Sequence, residues 1–250
     1  MGLAKRHCKL SVNLNKVALL RNQRDVGYPS VLEFARTVLA AGAEGITIHP
    51  RPDERHIRRS DAYELAALLS DEYPDDVEYN IEGYPSEDFL QIVRALQPTQ
   101  VTLVPDSPEQ ATSDHGWPLL EDAAMVRAVT GELKAAGMRV ALFVDPDPDV
   151  VRRSAEVGAD RIELYTEPYA VANAKGEGER GLDAYVRCAA VAEEVGLSVN
   201  AGHDLNLQNL PQFRAAMPSL EEVSIGHAIT ADALKVGFDS AVKAYLRALA

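Results

Sequence analysis

Three histidines, His49, His203 and His227, and two glutamates, Glu82 and Glu163, each stand at or just beyond a strand-like apolar run. Histidine titrates near neutral pH, and a carboxyl whose surroundings raise its pKa does so too, so such a set suits repeated proton transfer. Taken singly, each histidine is as well explained as a hydrogen-bonded structural residue, and Glu82 as an ordinary rim ion pair. Their recurrence at equivalent places favours a functional cluster. The pairs Gly202-His203 and Gly226-His227 add a second signal. Glycine lets backbone approach a ligand closely, and a helix starting there would present amides to an anion. A further anion site is suggested by Arg51, Arg55, His56, Arg58 and Arg59. Guanidinium groups match phosphate oxygens in pairs. Pro50 and Pro52 stiffen this stretch, which favours Arg51 and His56, whereas Arg55, Arg58 and Arg59 also read as a solvated charged loop. Thr112 and Ser113 offer hydroxyls from another loop.

Eight short runs must deliver these groups. They are LSVNLN (10–15), GITIH (45–49), VEYNIE (77–82), QVTLVP (100–105), RVALFVD (139–145), RIELYT (161–166), SVNAGH (198–203) and EVSIGH (222–227). Helix-like stretches separate most of them. Strands alternating with helices predict a parallel sheet, and eight such units predict a closed (β/α)8 TIM barrel forming one domain over residues 1–250. In that fold every strand C-terminus opens on one mouth, so Asn13, Asn15, His49, Glu82, Glu163, His203 and His227 should converge. The period-2 alternation of strand three places Glu78, Asn80 and Glu82 on one face, looking into the barrel. Glu82 lies at the mouth, and Glu78, deeper, needs structural partners. Between strands, residues 16–28 read as a basic loop carrying Arg21 and Arg24. Helices are predicted over 30–43, 62–70 and 120–136 and as one long helix over 231–249. The glycine-containing stretch 167–180 reads as a lid-like connection.

The chain has 250 residues, the usual size of one such barrel. Its formal net charge of −13 disfavours nucleic acid as a partner, so an anionic substrate must be held by a few local cations and amides. Cys8 and Cys188 lack any metal-knuckle or redox spacing, which fits a reducing, cytoplasmic location. No signal peptide is visible, and no apolar stretch approaches a membrane span. The first run ends Asn13-Leu14-Asn15 rather than His-x-His, and no HExxH occurs, so no metal is expected.

At these residues the chain resembles the pyridoxine 5′-phosphate synthase family. The likeness runs through SVNLNKVALLRNQR, AGAEGITIHPRPDERHI, YNIEG, LVP followed by TS, VGADRIELYT, VNAGHDLN and IGHAI, in order over nearly the whole length. The resemblance implies condensation of 1-deoxy-D-xylulose 5-phosphate with 3-amino-2-oxopropyl phosphate, without metal or organic cofactor. Pyridoxine 5′-phosphate, inorganic phosphate and water would be the products. It implies that His49 and Glu82 accept protons and that His203 donates one, with Glu163 a further active-site carboxylate. Asn13, Arg24, Asp204, Gly226 and His227 would hold the amino-ketone phosphate. Asn15, Lys16, Arg51, His56 and Thr112 would hold the deoxyxylulose phosphate. It also implies helices beyond the barrel and a homo-oligomer, an octamer built from dimers.

The chain departs from the family pattern at several points. Asn15-Lys16 stands where many relatives carry an aspartate and a histidine, and Asp204 replaces a glycine. A carboxylate there would repel phosphate unless it turned away as a helix cap. Thr112-Ser113-Asp114-His115-Gly116 and Tyr165-Thr166-Glu167 are further departures. Two other readings of the residues stay open: another phospho-sugar lyase or isomerase on a barrel, and a non-catalytic binder of phosphorylated metabolites. Lys16 is the only lysine at a strand end, which speaks against a Schiff-base aldolase.

Overall fold

A computed structural model describes residues 7–24, 26–74, 77–106, 110 and 113–250. Eight strands form a closed, all-parallel barrel in sequence order. The first half runs β1 (Lys9–Asn13), α1 (Asn15–Asn22), α2 (Val31–Ala40), β2 (Gly45–Ile48), α3 (Arg59–Glu72), β3 (Glu78–Gly83), α4 (Glu87–Leu96) and β4 (Gln100–Leu103). Next come α5 (Ala123–Ala135), β5 (Arg139–Val144), α6 (Pro148–Glu156), β6 (Arg161–Leu164), α7 (Glu167–Ala174) and α8 (Gly178–Val195). The chain closes with β7 (Ser198–Gly202), α9 (Leu210–Ala216), β8 (Leu220–Ile225), α10 (His227–Val236) and α11 (Phe238–Leu249). The expected (β/α)8 TIM barrel with extra helices is therefore the observed fold.

Local chemistry explains where elements begin. Ser30 and Ser86 accept hydrogen bonds from Glu33 N and Phe89 N (both 3.3 Å), and Asp147 caps α6 with Pro148 inside its first turn. Three expected loops or helices differ. Residues after the first strand are helix α1, not loop, because Leu14 and Val17 are buried and Arg21 makes a buried ion pair with Asp61. The stretch expected as a lid holds α7 and the start of α8, pinned by Tyr169 Oη donating to Asn209 O at 2.8 Å. The long C-terminal helix is broken at Gly237, whose φ of +82° ends α10 and lets α11 turn back onto it.

Outward strand residues such as Ile46, Ile81, Val101 and Ile162 are fully buried beneath the helices. Inward ones are polar and bond across strands. Ser11 Oγ lies 2.7 Å from Thr47 Oγ1, Asn80 Nδ2 donates to Thr47 Oγ1 at 3.4 Å, and Thr102 Oγ1 donates to Asn80 Oδ1 at 3.0 Å. Below this belt Glu78 is bound by Arg139, by Arg161 at 3.2 Å and by Lys9 at 3.4 Å. Burial would push the Glu78 carboxyl up, but these three cations outweigh it and hold it low.

Its neighbour Glu222 behaves oppositely. Burial first, then repulsion from Glu78, raise its pKa to about 8 against the pull of Arg161. One oxygen accepts from Asn200 Nδ2 at 3.2 Å, and the other lies 4.0 Å from Arg161 Nη1, beyond hydrogen-bond distance. A raised carboxyl stabilises the fold while protonated, below the unfolded value near about 4.3, and that contribution drains away as pH rises toward about 8. Glu222→Gln removes the titration. The stability of the variant relative to the parent should therefore grow between about pH 5 and pH 8, read as Tm against pH. A difference that stays flat over that range refutes the assignment.

Candidate active site

The strand tips surround a cavity of about 540 Å³. From the first two strands and the residues after them come Asn13, Asn15, Lys16, His49, Arg51 and His56. Glu82, Glu163, His203, Asp204, Gly226 and His227 complete the opposite wall. Twelve expected residues thus meet in one place. Arg24 does not: it lies exposed beyond the end of α1 and does not line the cavity. Thr112 lies outside the described residues, while its neighbour Ser113 is at the wall.

Asparagines lock the first rim. Asn13 Oδ1 accepts from Asn15 N at 3.0 Å, and Asn15 Oδ1 accepts from His49 N at 2.9 Å. Asn13 Nδ2 reaches Glu82 Oε2 at 3.5 Å, and His49 Nδ1 lies 3.9 Å from that same oxygen. Gly226 permits this packing, since a Cβ there would come within 3.1 Å of the Asn13 side chain. The first-turn amides of α10, beginning at His227, have no partners within the helix and stand at the wall, as an anion site requires.

Neighbours set the protonation states. Burial, then the charge of Arg51 and the neighbouring His56 and Arg55, hold His49 well below its usual value, so it is a neutral imidazole able to accept a proton. Burial, then the charges of Glu163 and Asp106, push Glu82 well above the carboxylate range, with Arg51 opposing. Glu163 rises to about 7, again through burial. His56 falls to about 4 through burial and Arg51. Its Nδ1 accepts from Ile57 N at 2.9 Å, so the proton sits on Nε2 as a donor.

The arginine cluster divides as the stiffened loop suggests. Arg55 pairs with Asp53 at 2.7 Å, and Arg58 and Arg59 serve the start of α3 through their backbone amides. Of the four arginines in this loop Arg51 lines the main cavity, together with His56. It is held by Asp106 at 2.5 Å, and Asp106 also accepts from Ser113 Oγ at 2.6 Å. Asp106 escaped the sequence reading although it follows the tip of β4, the position that should have drawn attention to it. Asn206 was missed as well, because it lies four residues past the strand end in a turn. Asp204 does not cap a helix: its carboxylate pairs with His203 Nδ1 at 2.8 Å, and its amide donates to Thr166 Oγ1 at 3.3 Å. Among the described residues no three His, Cys, Asp or Glu side chains converge to hold a metal ion. Cys8 and Cys188 are buried thiols, pushed by burial to about 12 and far from reactive. No described helix is long and apolar enough to cross a membrane.

Comparison with known proteins identifies the family. The family model described as "Pyridoxal phosphate biosynthesis protein PdxJ" matches residues 10–250. The chain is 54% identical over 243 residues to a pyridoxine 5′-phosphate synthase of Brucella anthropi, covering 97% of this chain and 99% of that one. It is 55% identical over 243 residues to the Chelativorans enzyme of the same name, covering 96% and 98%. Among solved structures, a thiamine phosphate pyrophosphorylase from Pyrococcus furiosus superposes with a TM-score of 0.60 at 15% identity, over 98% of this chain and 96% of that one. The Amycolatopsis orientalis BexX/CysO complex gives 0.62 at 18% identity, over 99% and 91%. Likeness at that identity speaks for the barrel alone.

Proposed function

The chain belongs to the PdxJ family of pyridoxal phosphate biosynthesis proteins, and from that premise we propose that its rim cavity carries out the pyridoxine 5′-phosphate synthase reaction. The substrates are 1-deoxy-D-xylulose 5-phosphate and 3-amino-2-oxopropyl phosphate, and the products are pyridoxine 5′-phosphate, inorganic phosphate and water. The observation that carries the reading is the meeting of a neutral His49, a proton-retaining Glu82 and the His203–Asp204 pair in one cavity.

Two anionic substrates need two anion sites. Arg51, Lys16 and the Nε2–H of His56, with Asn15 beside them, hold the deoxyxylulose phosphate on one side. The start of α10 at Gly226 and His227, with Asn13, holds the amino-ketone phosphate on the other. Holding both at once makes the encounter intramolecular. Imine formation, loss of water, loss of phosphate and ring closure each move a proton. His49 accepts protons as carbon and nitrogen acids lose them, Glu82 accepts one in turn after releasing the proton it holds at rest, and His203 returns one to a departing oxygen. Glu163, near neutrality, buffers the far wall. The protein works in the cytoplasm as a homo-oligomer, by resemblance an octamer built from dimers.

The test mixes both phosphates with purified protein and follows pyridoxine 5′-phosphate and released phosphate. Stoichiometric formation of both supports the reading. Binding without turnover, or a different product from either phosphate alone, defeats it and favours a binder or another phospho-sugar enzyme.

A further inference from the structure

We propose that Asp204 is the positioning residue of His203, accepting the Nδ1 proton so that the imidazole is held as a cation and delivers its proton from Nε2. The donor role in catalysis rests on the synthase reading above; the paired state of the two side chains does not. Four observations converge. The Nδ1 to Oδ2 distance is 2.8 Å, within the range of a charge-assisted hydrogen bond. His203 has a φ of +53°, a left-handed conformation that is costly outside glycine, and holds it beside the carboxylate it pairs with. That backbone is pinned by His203 N donating to Ser224 O at 3.2 Å. Asp204 is itself fixed, its amide by Thr166 Oγ1 and its carbonyl by Asn209 Nδ2, each near 3.2–3.3 Å.

Among the described residues, other charged groups also bear on the ring. Glu163 reaches it from β6 and Asp106 from the end of β4, while the His49 imidazole lies across the cavity. Phe143 and Tyr165 flank it with ring centroids 6.5 and 5.9 Å away. Asp106 is engaged by Arg51, and Glu163 is raised to about 7, whereas Asp204 is the carboxylate in direct hydrogen-bond contact with the ring. Burial by itself would lower the His203 pKa, but the Asp204 hydrogen bond and charge, helped by Glu163 and Asp106, outweigh it and raise it. His49 has no such bond and is driven the other way. Two histidines of one cavity are thereby set to opposite protonation states, one a base and one an acid. This also gives the aspartate a use where its carboxylate would otherwise face phosphate.

The test titrates the imidazole of His203 by NMR in the full-length protein labelled at histidine carbon, its signal identified by loss in His203→Gln. The parent should titrate above about 6.5, Asp204→Asn should lower the midpoint by about one unit, and Asp204→Glu should restore most of it. In turnover, Asp204→Asn should move the alkaline limb of kcat to lower pH while KM for both phosphates changes less than about threefold. Should Asp204→Asn fold poorly, the shorter neutral Asp204→Ser offers the same comparison. An unmoved midpoint, or a rise in KM with kcat and its pH profile intact, overturns the proposal and makes Asp204 a substrate contact. A shifted midpoint in a protein that makes no product leaves the pair standing and removes only the synthase reading.

Discussion

Glu82→Gln is expected to lower kcat by roughly 10²–10⁴-fold while the protein folds at least as well as the parent. Glutamine keeps the volume and can still accept from Asn13, but it cannot take up and release a proton. The carboxyl sits where burial and the charges of Glu163 and Asp106 make ionisation costly. A raised carboxyl contributes its full stability only while protonated, and that contribution falls as pH climbs above its unfolded value near about 4.3. The amide does not titrate. At about pH 8 the variant should therefore show an equal or higher Tm, which separates lost chemistry from lost folding. Steady-state kinetics and thermal denaturation on the same sample check both halves. A kcat within about threefold of the parent would remove Glu82 from the chemistry.

Arg161→Ala should be the most damaging change away from the rim. The guanidinium reaches Glu78 at 3.2 Å, Gln100 at 3.1 Å and Glu221 at 3.1 Å, with Glu222 at 4.0 Å. Its removal strips Glu78 of one of three cations and leaves Glu222 beside an emptied, still polar floor. Breaking one side of a buried ion set costs about 3–5 kcal/mol. For a domain of this size that corresponds to a fall in Tm of roughly 10 °C. Differential scanning calorimetry reads it directly, and a shift under about 2 °C would show that Arg139 and Lys9 suffice. Because Arg161 does not line the rim cavity, kcat measured well below the new Tm should change little.

Much of the site was legible because a parallel barrel converts sequence position into spatial position. A residue at the end of a strand run lies at the mouth, and so His49, Glu82, Glu163 and His203 could be placed together from the chain alone. Alternation did the same for Glu78, Asn80 and Glu82, whose inward facing is borne out by the bonds of Asn80 to Thr47 and Thr102. What alternation could not supply was partners from distant strands. Arg161 follows Glu78 by 83 residues, and nothing local marks the two as neighbours. Asp106 likewise gains its meaning only from Arg51, 55 residues earlier.

Loops were read less well than strands, because their conformation depends on what they pack against. Residues 16–22 look like a basic loop by composition, yet burial of Leu14 and Val17 and the Arg21–Asp61 pair make them helix α1. Glycines at 176 and 178 suggested mobility, but contacts of Tyr169 and Asn173 with α9 and the turn before it fasten that stretch. The break at Gly237 was invisible in the periodicity because both helices present apolar faces inward on either side of it.

The order of strands, the barrel and the identity of most rim residues were determined by the sequence, since periodicity and strand-end placement are local properties that close in only one way. Protonation was decided chiefly by tertiary structure. Whether a histidine is a base or an acid depends on which charges lie within a few ångströms and how much water is excluded; burial is set by strands far apart in the chain, while the charge on His203 comes from the adjacent Asp204 in the conformation the fold imposes. Thus His49 and His203, equivalent in sequence position, become opposites: one is desolvated beside the charge of Arg51, the other bonded to the carboxylate of Asp204.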